Sequence, residues 1–126
     1  MRPALLTLLA SCAALAACDK QIEAPIGVGV CWKMERPANA PPKFNVLATG
    51  VPDLEHCAAQ LESNRIRVQS LGLPQNEATG AYQGQFLFID RRGVFTAQTY
   101  AGYQYPFMVR TGDGRLAVPG AMPQGQ

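Results

Sequence analysis

One segment of this chain is written with a helical period and most of the residues after it in strand-length apolar runs, and that contrast sets the fold class. Asp53 is an N-cap residue type. Leu54, Cys57, Ala58 and Leu61 come next at i, i+3, i+4 and i+7, one face of a helix. Glu55, Gln60 and Glu62 fall on other faces and read as solvated. The spacing predicts a helix over 53–64, and Val68 and Leu71 extend its apolar stripe toward 70. Gly72 and Pro74 then open a loop to about Gly80. Downstream, Gln85-Phe86-Leu87-Phe88-Ile89 is an apolar run of strand length. Asp90-Arg91-Arg92-Gly93 supplies turn residues, and 94–100 continues as the hairpin partner. Ala101-Gly102 breaks that pattern. Segments 106–110 and 115–118 flank Thr111-Gly112-Asp113-Gly114 and read as a second hairpin. Upstream, 26–32 alternates large and small residues as a strand, 37–42 is a Pro- and Ala-rich loop, and 44–47 is another strand ended by Gly50 and Pro52. The expected class is α+β: a small antiparallel sheet with one main helix packed on one face.

The N-terminus stands apart from this pattern. Met1-Arg2 carries a positive charge, 4–17 is apolar with only Thr7 and Ser11 interrupting, and Asp19-Lys20-Gln21 is polar. A charged start, a short apolar stretch and small residues before a cut make up a secretory signal. The apolar run falls short of the roughly 20 residues a spanning helix needs. The expected division is therefore a signal over 1–17, a tether over 18–25, one domain over 26–119 and a flexible tail over 120–126. Of the whole 126-residue chain, 48% is hydrophobic and 16% charged, a balance that suits one globular domain.

Leu15-Ala16-Ala17-Cys18 resembles the lipobox of bacterial lipoproteins: Leu, two small residues, then Cys. The resemblance implies that the Cys18 thiol takes a diacylglycerol and that a signal peptidase cuts before it, so that the chain is anchored in a membrane of the cell envelope facing the periplasm. Two or more acyl chains hold a protein on a bilayer stably, each buried methylene contributing about 0.8 kcal/mol. Asp19 resembles the inner-membrane retention signal of enterobacterial lipoproteins. The competing reading is an ordinary signal peptide with an incidental cysteine. Cys12 lies inside the apolar stretch and leaves with it.

Cys31 and Cys57 then remain as the two thiols delivered to an oxidising compartment. Cys57 is on the apolar helix face and Cys31 in the first strand, and a helix lying on a sheet brings such positions within disulfide reach. A structural disulfide is expected, with Trp32 packed against it. The competing role, a redox or metal site aided by His56, has no Cys-x-x-Cys and a short ligand list. His56 also lies about 100° round the helix from Cys57.

Catalysis finds no motif: one His, no Gly-x-Ser-x-Gly, no His-Glu-x-x-His, no phosphate loop. The sequence implies no cofactor and no metal. A net charge of +2 without a basic run gives no reason to expect nucleic acid. The binding candidates are Tyr100, Tyr103 and Tyr105, rings with an apolar face and a hydroxyl, together with Arg91 and Arg92 at the adjoining hairpin tip. The competing reading is that these rings simply suit strands. The expected role is a small lipid-anchored envelope lipoprotein acting as a non-catalytic binding or structural module, with an envelope protein or peptidoglycan as partner. The alternative is a small periplasmic enzyme or a thiol-redox or metal-binding factor.

Overall fold

The computed structural model describes residues 21–119. Segment 1–17, Cys18, Asp19 and the tail 120–126, on which the signal, anchor and tail expectations fall, lie outside the described residues. The strands β1 (Cys31–Glu35), β2 (Lys43–Ala48), β3 (Ala78–Tyr82), β4 (Gln85–Asp90), β5 (Gly93–Ala97), β6 (Tyr105–Arg110) and β7 (Leu116–Ala117) form one sheet in the order β2-β1-β3-β4-β5-β6-β7. Every neighbouring pair is antiparallel. Because β2 and β3 both oppose β1, they run parallel to each other. The helix α1 (Leu54–Ser70) supplies the crossover that a parallel pair requires. The α+β architecture is as the sequence indicates, but with seven strands the sheet is not small.

Helix α1 starts where its cap chemistry puts it. Asp53 Oδ1 accepts from the His56 N–H at 2.8 Å, satisfying one free amide of the first turn. The helix runs on to Ser70, stopped by Leu71 and by Gly72 at φ +84. Leu71 does not extend the buried stripe. It is 73% exposed, at the cap position just past the last residue of the helix.

Three boundaries differ from the sequence reading. The first strand begins at Cys31 rather than Ile26, because 27–30 closes a turn in which the Val30 N–H donates to Gly27 O at 3.2 Å with Gly29 at φ +70. Strand β3 occupies the end of what reads as a loop and pairs along its length with β4. Its partner is reached through a two-residue turn with positive φ at Gln83 (+46) and Gly84 (+83), the conformation that matches the twist of a hairpin. Strand β5 ends at Ala97 rather than Tyr100, and 98–104 loops away, with the Gly102 N–H donating to Thr99 O.

The two faces of the sheet divide the apolar residues between them. Toward the helix, Cys31, Leu87, Ile89, Val94 and Met108 pack with Cys57, Ala58 and Leu61. Cys31 and Cys57 are joined in a disulfide with a Cα–Cα separation of 5.3 Å, and both are fully buried. Strand alternation turns Trp32 to the other face, away from the disulfide it was expected to cover. There it pairs across to Ala81 and Val46 and lies beneath Gly27. Bulges between Cys31 and Trp32 against β2, and between Val94 and Phe95 against β6, add local twist to the sheet.

On the helix side of β6, Arg110 reaches Glu62 of the helix. Glu62 is not a solvated residue: its side chain is 12% exposed and accepts two hydrogen bonds from Arg65, both 2.8 Å, and two from Arg110, 2.7 and 3.3 Å. Arg110 also donates to the Asp90 and Gly114 carbonyls, so one guanidinium joins α1, β4 and the β6–β7 turn. Burial pushes the Glu62 carboxyl upward. The hydrogen bonds and charges of Arg65 and Arg110 outweigh it and bring the pKa from an ordinary 4.5 down to about 2. A depressed folded-state pKa contributes stability that is complete above about 4.5 and is lost as the pH falls toward 2. Glu62→Gln is therefore expected to cost on the order of 2 kcal/mol at neutral pH and to flatten the acid limb of the stability profile in that window. Urea midpoints measured at pH 7, 4 and 2.5 on both proteins check this; parallel profiles would refute it.

Candidate functional site

The helix covers one face of the sheet, and the other face carries most of the aromatic residues. Phe86 and Phe88 on β4 project there in alternation with Leu87 and Ile89. Phe44 of β2 lies 6.3 Å from Phe86 between ring centroids, and Phe88 lies 6.1 Å from it. The loop after β5 folds Tyr100 back onto the pair, 5.7 Å from Phe86 and 5.9 Å from Phe88. Phe86 is fully buried by these contacts, whereas Phe44, Phe88, Phe95 and Tyr100 are only partly covered.

Two arginines lie on this surface. Arg36, just beyond β1, sits 5.2 Å from the Tyr100 ring centroid and donates from Nη1 to its hydroxyl at 2.6 Å. Arg92 lies 4.5 Å from the Phe95 ring centroid and donates through Nε and Nη2 to Asp90 at 3.1 and 2.8 Å. Burial of Asp90 opposes ionisation, but these hydrogen bonds and the Arg92 charge hold its carboxyl below the usual range. Guanidinium stacked on a ring at the surface contributes about 0.5–1 kcal/mol. The face thus presents flat apolar rings edged by two guanidiniums, of which Arg92 is ion-paired with Asp90.

The residues singled out from the sequence do not assemble into one site. Tyr100 belongs to this face. Tyr103 and Tyr105 stack on each other edge to face at 4.7 Å and are exposed, but they stand where β6 begins, beside the end of β5. Arg91 and Arg92 form the β4–β5 turn at the opposite end of β5. The expected pairing of tyrosine anchor with hairpin-tip charge is therefore replaced by Arg36 on Tyr100 and Arg92 on Phe95. Cys31 and Cys57 are buried in their disulfide, and His56 faces away from them with Nδ1 2.6 Å from Asp53 Oδ1. The backbone hydrogen bond from His56, its ring and its charge hold the Asp53 carboxyl below the usual range. These are cap contacts. Cys31, Cys57 and His56 do not converge, and among the described residues no group of three or more His, Cys, Asp or Glu could hold a metal ion.

Beside Tyr100 lies a cleft of about 580 Å³, between residues 21–26 and the 98–101 loop, with Gly84 at its floor. The segment forming its outer wall is the proximal part of the expected tether. It meets the domain at Pro25, whose carbonyl accepts from the Gly84 N–H at 3.2 Å, and in the turn that follows the Gly29 N–H donates to Gln83 Oε1 at 3.1 Å. Arg36, Phe44, Phe88 and Phe95 were not singled out from the sequence. The signal that could have found Phe88 is the unbroken apolar run 86–89, which marks a strand with both faces in use. Comparison of the chain with protein-family models, with curated proteins and with solved structures found no match.

Proposed function

We propose that this protein is a lipid-anchored lipoprotein of the cell envelope, held in the membrane through Cys18 and facing the periplasm, and that its domain is a non-catalytic binding module. The anchor reading rests on Leu15-Ala16-Ala17-Cys18 at the end of a signal-like N-terminus. Asp19 inclines it toward the inner membrane. The observation carrying the binding reading is the half-open face of Phe44, Phe88, Phe95 and Tyr100 with Arg36 and Arg92 stacked on its rings. Rings edged by guanidinium donors suit a partner with apolar patches and acceptor groups, which an envelope protein surface and the sugar faces of peptidoglycan both offer.

One experiment addresses both parts. The full chain is expressed with a photo-crosslinking phenylalanine analogue at position 95, with and without Cys18→Ser, and a second set carries the analogue at the remote position 71. The wild-type anchor is expected to give a mature chain heavier by the lipid and recovered with membranes, and Cys18→Ser to lose both properties. Crosslinks to a discrete envelope protein or to muropeptides are expected from position 95 and not from 71. A lipid-free wild-type chain would refute the anchor, and equal labelling from both positions would refute the binding face.

A further inference from the structure

The N-terminal segment reaches the domain at one end of the sheet, and that end has a character of its own. It is formed by the turn at 27–30, the Gln83-Gly84 hairpin, the start of β6 and the 98–104 loop. It carries Ile26, 87% exposed, and Val28, 94% exposed, with the exposed pair Tyr103 and Tyr105 further along. The opposite end holds the Arg91-Arg92 turn, the 111–114 turn and the end of the helix with the exposed Leu71 and Leu73, so the ends differ in charge and in where the N-terminal segment enters rather than in apolar exposure alone.

Chain length fixes where the first end must stand once the anchor is in place. Pro25 and Gly29 are hydrogen-bonded to the domain, so the free part of the tether is short. Three peptide units separate Cys18 from Gln21, the first described residue and part of the cleft wall, a span of at most about 11 Å. A lipid on Cys18 therefore holds this end at the bilayer surface. At these exposures Ile26 and Val28 bury little of their side chains against the described residues, whereas the headgroup–acyl boundary accepts apolar side chains and favours tyrosine at its edge. Among the described residues at this end, the carboxylates Glu23, Asp53 and Glu55 offer anionic lipid no attraction.

We propose that this end of the sheet is a bilayer-docking surface, with Ile26 and Val28 entering the boundary region and Tyr103 and Tyr105 lying at its margin. The occupant is the lipid surface itself, and the proposal rests on the anchor reading. Docking by this end sets the strands pointing away from the membrane, with the aromatic face turned sideways, free for a partner in the periplasm.

The test uses the full lipidated protein in phosphatidylcholine vesicles whose acyl chains are brominated. Tryptophan is introduced by Val28→Trp, or as the control by Leu71→Trp at the far end, and the constant contribution of Trp32 is subtracted. Val28→Trp emission is expected to fall roughly twofold or more with brominated lipid, because boundary insertion brings an indole within range of the bromines. Leu71→Trp is expected to be unaffected, and adding anionic lipid is expected to change neither result. Equal quenching at both positions, or none at Val28→Trp, overturns the docking surface. So does Val28→Trp emission that shifts with protein concentration rather than with lipid, which would make a second copy of the chain the occupant. The mass of the mature chain separates the two failures. An unlipidated chain sinks the anchor reading, while a lipidated chain with an unquenched Val28→Trp sinks docking alone.

Discussion

Replacing both Cys31 and Cys57 with alanine is expected to lower stability by about 3–4 kcal/mol, most of it through the unfolded chain. The two cysteines are 26 residues apart, so the bridge closes a loop spanning β2 and the first turn of α1. Chain-entropy reasoning gives a figure of that size for such a loop. The bridge also fixes the start of the helix to the start of the strand it crosses, inside the densest part of the core. A domain of this size has a total stability of about 5–15 kcal/mol, so the loss is a large fraction of it. The urea midpoint of the double variant should fall by roughly 1–4 M, using the usual denaturant sensitivity of small proteins. The wild type in reductant should unfold at the variant's midpoint, and the variant should not respond to reductant. A midpoint that neither substitution nor reductant moves would mean that the bridge adds nothing to the fold.

The parts of the fold legible in the sequence are those fixed by local rules. Asp53 caps the helix because a short carboxylate suits an amide three residues on, and Leu54, Cys57, Ala58 and Leu61 mark its buried side by period alone. The Cys31–Cys57 pairing followed from those placements. Strand β3 was hidden because Ala78, Gly80 and Ala81 are poor strand formers by composition. The smallness of Gly80 answers a tertiary demand, the close passage of Leu61 on α1, and Ala81 lies on the other face beside Trp32 and Phe86; no local window contains either neighbour. The Gln83-Gly84 turn lacks the Asn-Gly signature and needs a glutamine at positive φ. Tyr100 extends the pattern of β5 on paper, yet its ring gains more by folding back between Phe86, Phe88 and Arg36 than by continuing the ladder.

The candidate site was less legible, and the reason is geometric. Arg91 and Arg92 adjoin the tyrosine segment in sequence distance, but an antiparallel strand separates its two ends by its own length, so β5 sets them apart. Arg36 is 64 residues from Tyr100 and becomes its neighbour only through the sheet order. Glu62 has the spacing of a solvated residue on an isolated helix. It is buried because Arg110 arrives from β6, 48 residues away in sequence, and joins Arg65 in covering the carboxylate.

Gly80 is the position at which a single added methyl group would press on the sheet and the helix at once. A Cβ there would overlap the Trp32 carbonyl oxygen of β1 and would lie 2.5 and 2.8 Å from the two Leu61 methyls of the helix. Leu61 is almost fully buried, and Trp32 is held in register by Ala81 and Val46, so neither neighbour can yield without loosening the sheet or lifting the helix. Overpacking of this kind typically costs about 1–3 kcal/mol when side chains alone must move, and more when backbone must. Gly80→Ala is therefore expected to lose more than about 3 kcal/mol. Gly112→Ala, where nothing lies within 4 Å, serves as the control and should stay within about 0.5 kcal/mol of wild type. The partition between the two clashes can be read by combining Gly80→Ala with Leu61→Ala. If the helix side chain carries the clash, the cost of the added methyl should shrink in that background, whereas a clash with the β1 carbonyl should leave it unchanged. A Gly80→Ala protein as stable as wild type would mean that β3 does not lie tightly between β1 and the helix, and the crossover that organises the whole sheet would have to be redrawn.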